Sequence, residues 1–175
     1  GEIYEGEFVD GARSGQGTRT QSDGVVYEGT FQDDMAQGQG RMEWPSGETY
    51  EGQFAEDMPH GRGQKSWPSG NQYQGEFKSS VMDGRGMLTF ADGRVYDGQF
   101  KLGKRSGKGT LSWPSGEKYS GEFVDGMREG RGVFTWPDGS KYVGGFQQNA
   151  LHGRGVCSMD GADTPCRFDR GVRIE

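Results

Sequence analysis

Apolar and polar positions alternate in short runs along this chain, and the runs return on a fixed schedule. Thr49-Tyr-Glu-Gly-Gln-Phe54-Ala55 sets Tyr, Gly and Phe on one side and Glu and Gln on the other, the period-two pattern of a β-strand. Gly107-Lys-Gly109-Thr-Leu111-Ser-Trp113 reads as a second kind of strand, with Gly, Gly, Leu and Trp facing away from Lys108, Thr110 and Ser112. A loop of about five residues joins the first kind to the second, often through Asp-Gly, as at Asp10-Gly11 and Asp125-Gly126. The return connection is Trp44-Pro-Ser-Gly47, Trp67-Pro-Ser-Gly70, Trp113-Pro-Ser-Gly116 or Trp136-Pro-Asp-Gly139. Pro presets its first corner, and Gly accepts the left-handed conformation of a type I turn with a bulge.

The schedule has a period of 23 residues, marked by Tyr4, Tyr27, Tyr50, Tyr73, Tyr96, Tyr119 and Tyr142. Counting each Tyr as position 0, Gly recurs at positions 2, 11 and 13 and Phe at position 4 in all seven repeats. A period of this length marks a repeat array whose units bury their faces against one another. The turn geometry sets the position 13 glycine opposite glycines at position 2, and aromatic rings can cover the bare backbone between them. The expected fold is all-β: an elongated, single-sheet antiparallel β-solenoid of two-strand hairpin units.

The divisions that follow are 4–26, 27–49, 50–72, 73–95, 96–118, 119–141 and 142–163 for the repeats. Residues 1–3 read as the remnant of a preceding repeat, which implies a piece of a longer array. Residues 164–175 read as a capping half-repeat, in which Pro165 suits an edge strand, followed by a loosely ordered tail from Val172.

The pattern Tyr-x-Gly-x-Phe-x-x-Gly-x-x-x-Gly-x-Gly resembles the MORN repeat (membrane occupation and recognition nexus) along essentially the whole chain. Asp34, Asp57, Ser80 and Asn149 depart from the family glycine at position 7. The resemblance implies a single-sheet β-solenoid with a groove and a non-enzymatic scaffold. In protists, all-MORN proteins build cytoskeletal structures, and elsewhere such arrays accompany a lipid kinase, a methyltransferase or membrane-contact segments.

Composition changes this picture little. Only 30% of residues are apolar, and 34 Gly with 6 Pro would suit a disordered chain were the period not so strict. The net charge of −6 argues against nucleic acid, and no apolar run is long enough for a membrane helix. Two cysteines in a chain with so little core suggest a reducing, cytoplasmic setting. The resemblance adds association with the cytoskeleton, at a membrane-adjacent structure. No cofactor or metal is expected. His60 and His152 both fall in loops without a neighbouring nucleophile, and Gly107-Lys-Gly109-Thr lies in a strand, where it cannot act as a phosphate loop.

Three candidate surfaces remain. Trp44, Trp67, Phe90, Trp113 and Trp136, with Tyr96 and Tyr119, form an aromatic column that either protects the sheet's own glycines or lines a groove for a protein partner. Arg62, Arg85, Lys108, Arg131 and Arg154 form a basic column, read first as a cross-strand ion ladder with neighbouring acids and alternatively as a site for phosphoinositides. The last two repeats suggest a homodimer contact through Phe146, Leu151, Cys157, Met159, Cys166 and Phe168. There Cys157 and Cys166 lie diagonally on one face under a two-residue turn at Asp160-Gly161. Free thiols are the expectation, against an intrachain bond or a metal site shared with His152.

Overall fold

The computed structural model describes residues 1–174. Every element among them is a β-strand, and the strands follow one another in chain order in one antiparallel sheet of 16. In the unit Gly1–Ala91 these are β1 (Ile3–Val9), β2 (Ala12–Thr20), β3 (Val26–Gln32), β4 (Met35–Glu43), β5 (Thr49–Ala55), β6 (Met58–Ser66), β7 (Gln72–Lys78) and β8 (Val81–Thr89). The unit that begins at Asp92 holds β9 (Val95–Lys101), β10 (Lys104–Ser112), β11 (Lys118–Val124), β12 (Met127–Thr135), β13 (Lys141–Gln147), β14 (Ala150–Met159), β15 (Ala162–Asp169) and β16 (Val172–Arg173).

Odd strands carry positions −1 to 5, as the alternation predicts. Even strands begin earlier than expected, because the joining loop is a two-residue turn and not a five-residue one. Lys101 pairs with Lys104 and Val124 with Met127, leaving only two residues to turn. Both turn residues take positive φ, as at Asp125 (49°) and Gly126 (84°), which is the type I′ hairpin. The departures at position 7 have a local reason. Asp34, Asp57 and Asn149 donate their own N–H to the carbonyl of Arg13, Ala36 and Arg128 in the preceding repeat, and their side-chain oxygens accept the N–H of those same residues. Ser80 faces Pro59, which has no N–H to offer, so a residue that only donates is enough there.

The glycines at positions 11 and 13 do different work. Position 13 is the paired glycine: Gly109 lies opposite both Gly98 and Gly121. Position 11 opens a bulge, since between Gly98↔Gly109 and the Phe100↔Arg105 pair the even strand has two residues more than its partner. Gly107 holds φ = +62° at this bulge, a region that side chains disfavour. The freed N–H at position 12 is taken by the side chain at position 3: Gln53 accepts from Arg62, Glu76 from Arg85 and Gln99 from Lys108.

The core is one ring deep. Each Tyr folds back over the glycines of its own repeat, so a Cβ on Gly109 would lie 2.4 Å from the Tyr96 hydroxyl. That hydroxyl donates to the carbonyl of Gln99 at 2.9 Å, and the same bond recurs from Tyr119 to Glu122. Within each unit Tyr packs edge-on against the Phe of its own repeat and that of the next, as Tyr119 does with Phe123 (5.2 Å) and Phe146 (4.7 Å). Burying such a ring contributes roughly 1.5–3 kcal/mol, and the six Tyr from Tyr27 to Tyr142 are 0% exposed. Among the described residues only the Tyr4 ring packs on Phe8, which is 60% exposed, whereas Phe31, between Tyr4 and Tyr27, is 1% exposed.

At the far end, Asp169 pairs with Val172 across an Arg170-Gly171 turn, so the expected tail instead returns as β16. Cys157 and Cys166 are joined by a disulfide across β14 and β15. They do lie diagonally, with Cys157 opposite Thr164 and Cys166 opposite Gly155. The free-thiol expectation is thereby corrected, because the diagonal places the two Cα atoms 5.9 Å apart, within bonding reach. No thiol is left to bind a metal with His152, whose imidazole instead faces Asp169 at 3.5 Å.

Candidate functional site

The proline turns deliver the tryptophans. Trp136 opens its turn by accepting the Gly139 N–H and donating to Ser140 O, and Trp113 does the same with Gly116 and Glu117. The indoles thus stand at the end of every repeat that has the Trp-Pro turn, on the side where position 15 lies. Position 15 pairs with Tyr on both sides, as Phe134 does with Tyr119 and Tyr142, so Trp strip and Tyr core share one face.

Two stretches of this strip differ. In the unit that begins at Asp92, Phe134 sits between Trp113 (5.8 Å) and Trp136 (4.9 Å), and the Arg128 guanidinium lies 5.5 Å from the Trp113 ring. Burial among these rings lowers the pKa of Arg128, whose guanidinium also donates to the Asn149 carbonyl. In the unit Gly1–Ala91, Lys65 takes the place of Phe134. Its ammonium lies 5.1 Å from Trp44 and 5.2 Å from Trp67 and pairs with Glu48 at 2.9 Å. Both arrangements are favourable, one by ring contact and the other by cation–π attraction.

Trp44, Trp67, Phe90, Trp113 and Trp136 are half-buried, as a strip open to a ligand requires. Tyr96 and Tyr119 do not belong with them: both are 0% exposed beneath their neighbours' rings, with hydroxyls already bonded, and they support the strip from below. Lys65 and Phe134 do belong, and the signal was their place opposite Tyr, one short step from each Trp. Burial pushes the phenols of Tyr27, Tyr50, Tyr73, Tyr96 and Tyr119 up to about 12, so they stay neutral at ordinary pH.

A notch lies between the last two turns. Gly47 rests on Pro68 and Gly93 on Pro114, but after Gly139 the next turn is Asp160-Gly161 and brings no proline. A Cβ at Gly139 would meet nothing within 4 Å. The resulting concavity of about 380 Å³ is lined by Asp138, Lys141, Met159, Asp160 and Asp163 among others. Hydrogen bonds from Ser140 hold the Asp138 carboxyl below the usual carboxylate range.

Arg62, Arg85, Lys108, Arg131 and Arg154 are exposed. The register sets Arg62 opposite Glu76 and Lys108 opposite Glu122, as a ladder requires. Further along it does not, because Arg131 faces Gly145 and Arg154 faces Arg167. Of the residues assigned to self-association, Phe146 (4%), Cys157 (7%) and Cys166 (4%) are already buried within the chain, so they cannot form an outer contact. Met159 is 59% exposed, and Leu151 and Phe168 are half-buried.

The MORN repeat model matches residues 4–26, 27–49, 50–72, 73–93, 96–118, 119–141 and 142–161. The chain belongs to the MORN-repeat family. A comparison with curated proteins gave no match. Among solved structures, this MORN array is similar to the SAS-4 (dCPAP) TCP domain of Drosophila melanogaster, determined in complex with a Proline Rich Motif of Ana2 (dSTIL). The TM-score is 0.60 at 12% identity, covering 94% of this chain and 88% of that one. The wild-type TCP10 domain of Danio rerio CPAP gives 0.53 at 14% identity, covering 96% and 84%. The G-box domain of the microcephaly protein CPAP, whose structural analysis suggests a role in centriole elongation, gives 0.52 at 15%, covering 99% and 97%. At these identities the likeness is one of fold.

Proposed function

We propose that this MORN array is a non-enzymatic scaffold that docks extended segments of protein partners on its Trp strip, within a cytoskeletal assembly. The observation that carries the reading is the half-buried run Trp113–Phe134–Trp136 on a sheet face with no second layer among the described residues. A contiguous apolar strip of this kind suits a partner segment. The fold likeness supports it, since one similar domain was solved with a bound proline-rich motif. The paired substitution Trp113→Ala with Trp136→Ala tests it. Peptide binding followed by fluorescence anisotropy should fall at least about thirtyfold, as for interface hot spots, while the circular dichroism spectrum is kept. Unchanged binding by a folded variant would sink the reading.

We extend it to self-association through the last two repeats, around Met159, Leu151 and Phe168. A monomer in light scattering at micromolar concentration refutes that part. A membrane tether is the weaker alternative, favoured only by Arg131 and Arg154, which face no acid across the strands. It requires co-sedimentation with phosphoinositide vesicles at physiological salt.

A further inference from the structure

We infer that the face turned away from the Tyr and Trp rings carries a second docking surface, on β12 to β15, and that its occupant is an amphipathic helix of another protein with acidic residues along one flank. This surface is separate from the Trp strip and does not depend on the role proposed for it.

The alternation of side chains places it. Phe134, Tyr142, Cys157 and Cys166 lie on the ring side, so their chain neighbours Val133, Val143, Val156 and Pro165 point the other way. The register sets these four in one line: Val133 opposite Val143, Val143 opposite Val156, and Val156 opposite Pro165. Val143 is 41% exposed and Val156 40%, Pro165 is exposed, and Val133 is half-buried. The repeat itself does not demand apolar residues there. In the first repeats the same line runs Glu5, Thr18, Glu28, Arg41 and Glu51. A contiguous apolar line on an otherwise polar face marks a contact surface.

Its flanks set the charge of the occupant. On one side stand Arg131, opposite Gly145, and Arg154, opposite Arg167. Gly145 holds position 3, where Glu7, Glu76 and Glu122 supply carboxylates in other repeats, and it supplies none. On the other side Lys141 faces Ser158 and Ser158 faces Asp163, where the notch opens with Asp138 and Asp160. Carboxylates along one flank of the occupant complement the arginines. An anionic bilayer fits less well, because the notch acids repel it and valines are not the Trp, Phe or Leu that enter one.

The ladders decide its form. The N–H and C=O groups of the sheet are spent between strands, so a chain lying on this line must satisfy its own backbone, as a helix does. The line crosses three strand spacings, about 14 Å, which take about ten helical residues.

The test uses the full chain and a synthetic fluorescent helix of about 20 residues, with a leucine stripe flanked on one side by glutamates. It should bind at least about tenfold more tightly than the same peptide with lysines for the glutamates. Arg131→Gln with Arg154→Gln, the residue already present at Gln16 and Gln39, should shrink that ratio about fivefold. Val143→Thr with Val156→Thr should weaken binding about tenfold with the circular dichroism spectrum kept, since Thr18 and Thr110 already stand in this line. Trp113→Ala with Trp136→Ala should leave binding unchanged. Equal binding of the two peptides overturns the inference, as does full binding by the threonine variant or no binding at millimolar peptide. A loss confined to the Trp variant puts the peptide on the ring side and overturns it too. Co-sedimentation with phosphatidylserine vesicles that both the valine and arginine variants abolish, without peptide binding, replaces the helix by a membrane.

Discussion

Tyr119 and Trp136 stand on the same face of the same repeat, yet the Tyr119 ring is fully buried and the Trp136 ring is half open. The Tyr column is the same in every repeat: ring over paired glycines, hydroxyl on the position 3 carbonyl, its own Phe against its edge. The Trp column varies. Its intervening residue is Lys65 in one place and Phe134 in another, its turn residue is Trp136 in one repeat and Phe90 in another, and its neighbouring turn has proline or lacks it. The invariant column builds the sheet, and the variable one is free to carry recognition.

The contrast breaks hardest at the glycines. Gly109→Val drives carbon into the Tyr96 ring, 2.5 Å from its edge, and should cost about 3–4 kcal/mol in urea denaturation. Gly139→Ala, beneath the notch, meets nothing, and should cost about 1 kcal/mol for its left-handed backbone alone. Equal losses would mean that Tyr does not hold the paired glycines bare.

Alkaline pH separates the columns next, because tryptophan does not titrate. The folded phenols of Tyr27, Tyr50, Tyr73, Tyr96 and Tyr119 sit at about 12, above the value near 10 of the unfolded chain. The neutral phenol thus favours the folded state. That stability is present in full below pH 10 and is lost as the pH rises toward about 12. Tyrosinate absorbance should therefore rise together with loss of the circular dichroism signal; ionisation near pH 10 with the sheet intact would contradict it. The smallest effect is Lys65→Met, which should move stability by no more than about 0.5 kcal/mol yet shift tryptophan fluorescence.

Much of this arrangement was legible. The 23-residue period, the Pro turns and the facing glycines follow from residue types with few alternatives, because only Gly tolerates a ring laid on its backbone and Gly is the residue that takes a left-handed turn most readily. The bulge was not, since Gly at position 11 and Gly at position 13 look alike in sequence and differ only in φ. The two-residue turn was hidden by side chains that tolerate positive φ, such as Asp57 and Ser80. Tyr and Trp could not be ranked by burial from hydrophobicity, because what separates them is which ring folds back over its own strand. The disulfide was masked by a cytoplasmic expectation built on composition.

The tyrosine that covers its own glycines has a consequence for inheritance. Each repeat brings its own lid, so a copied segment of 23 residues arrives already enclosed and needs only a neighbour's phenylalanine to seal its flank. Lengthening such a gene adds new tryptophan rungs without redesigning anything that came before. Natural variation in the number of copies then becomes variation in the length of exposed aromatic strip that the sheet carries.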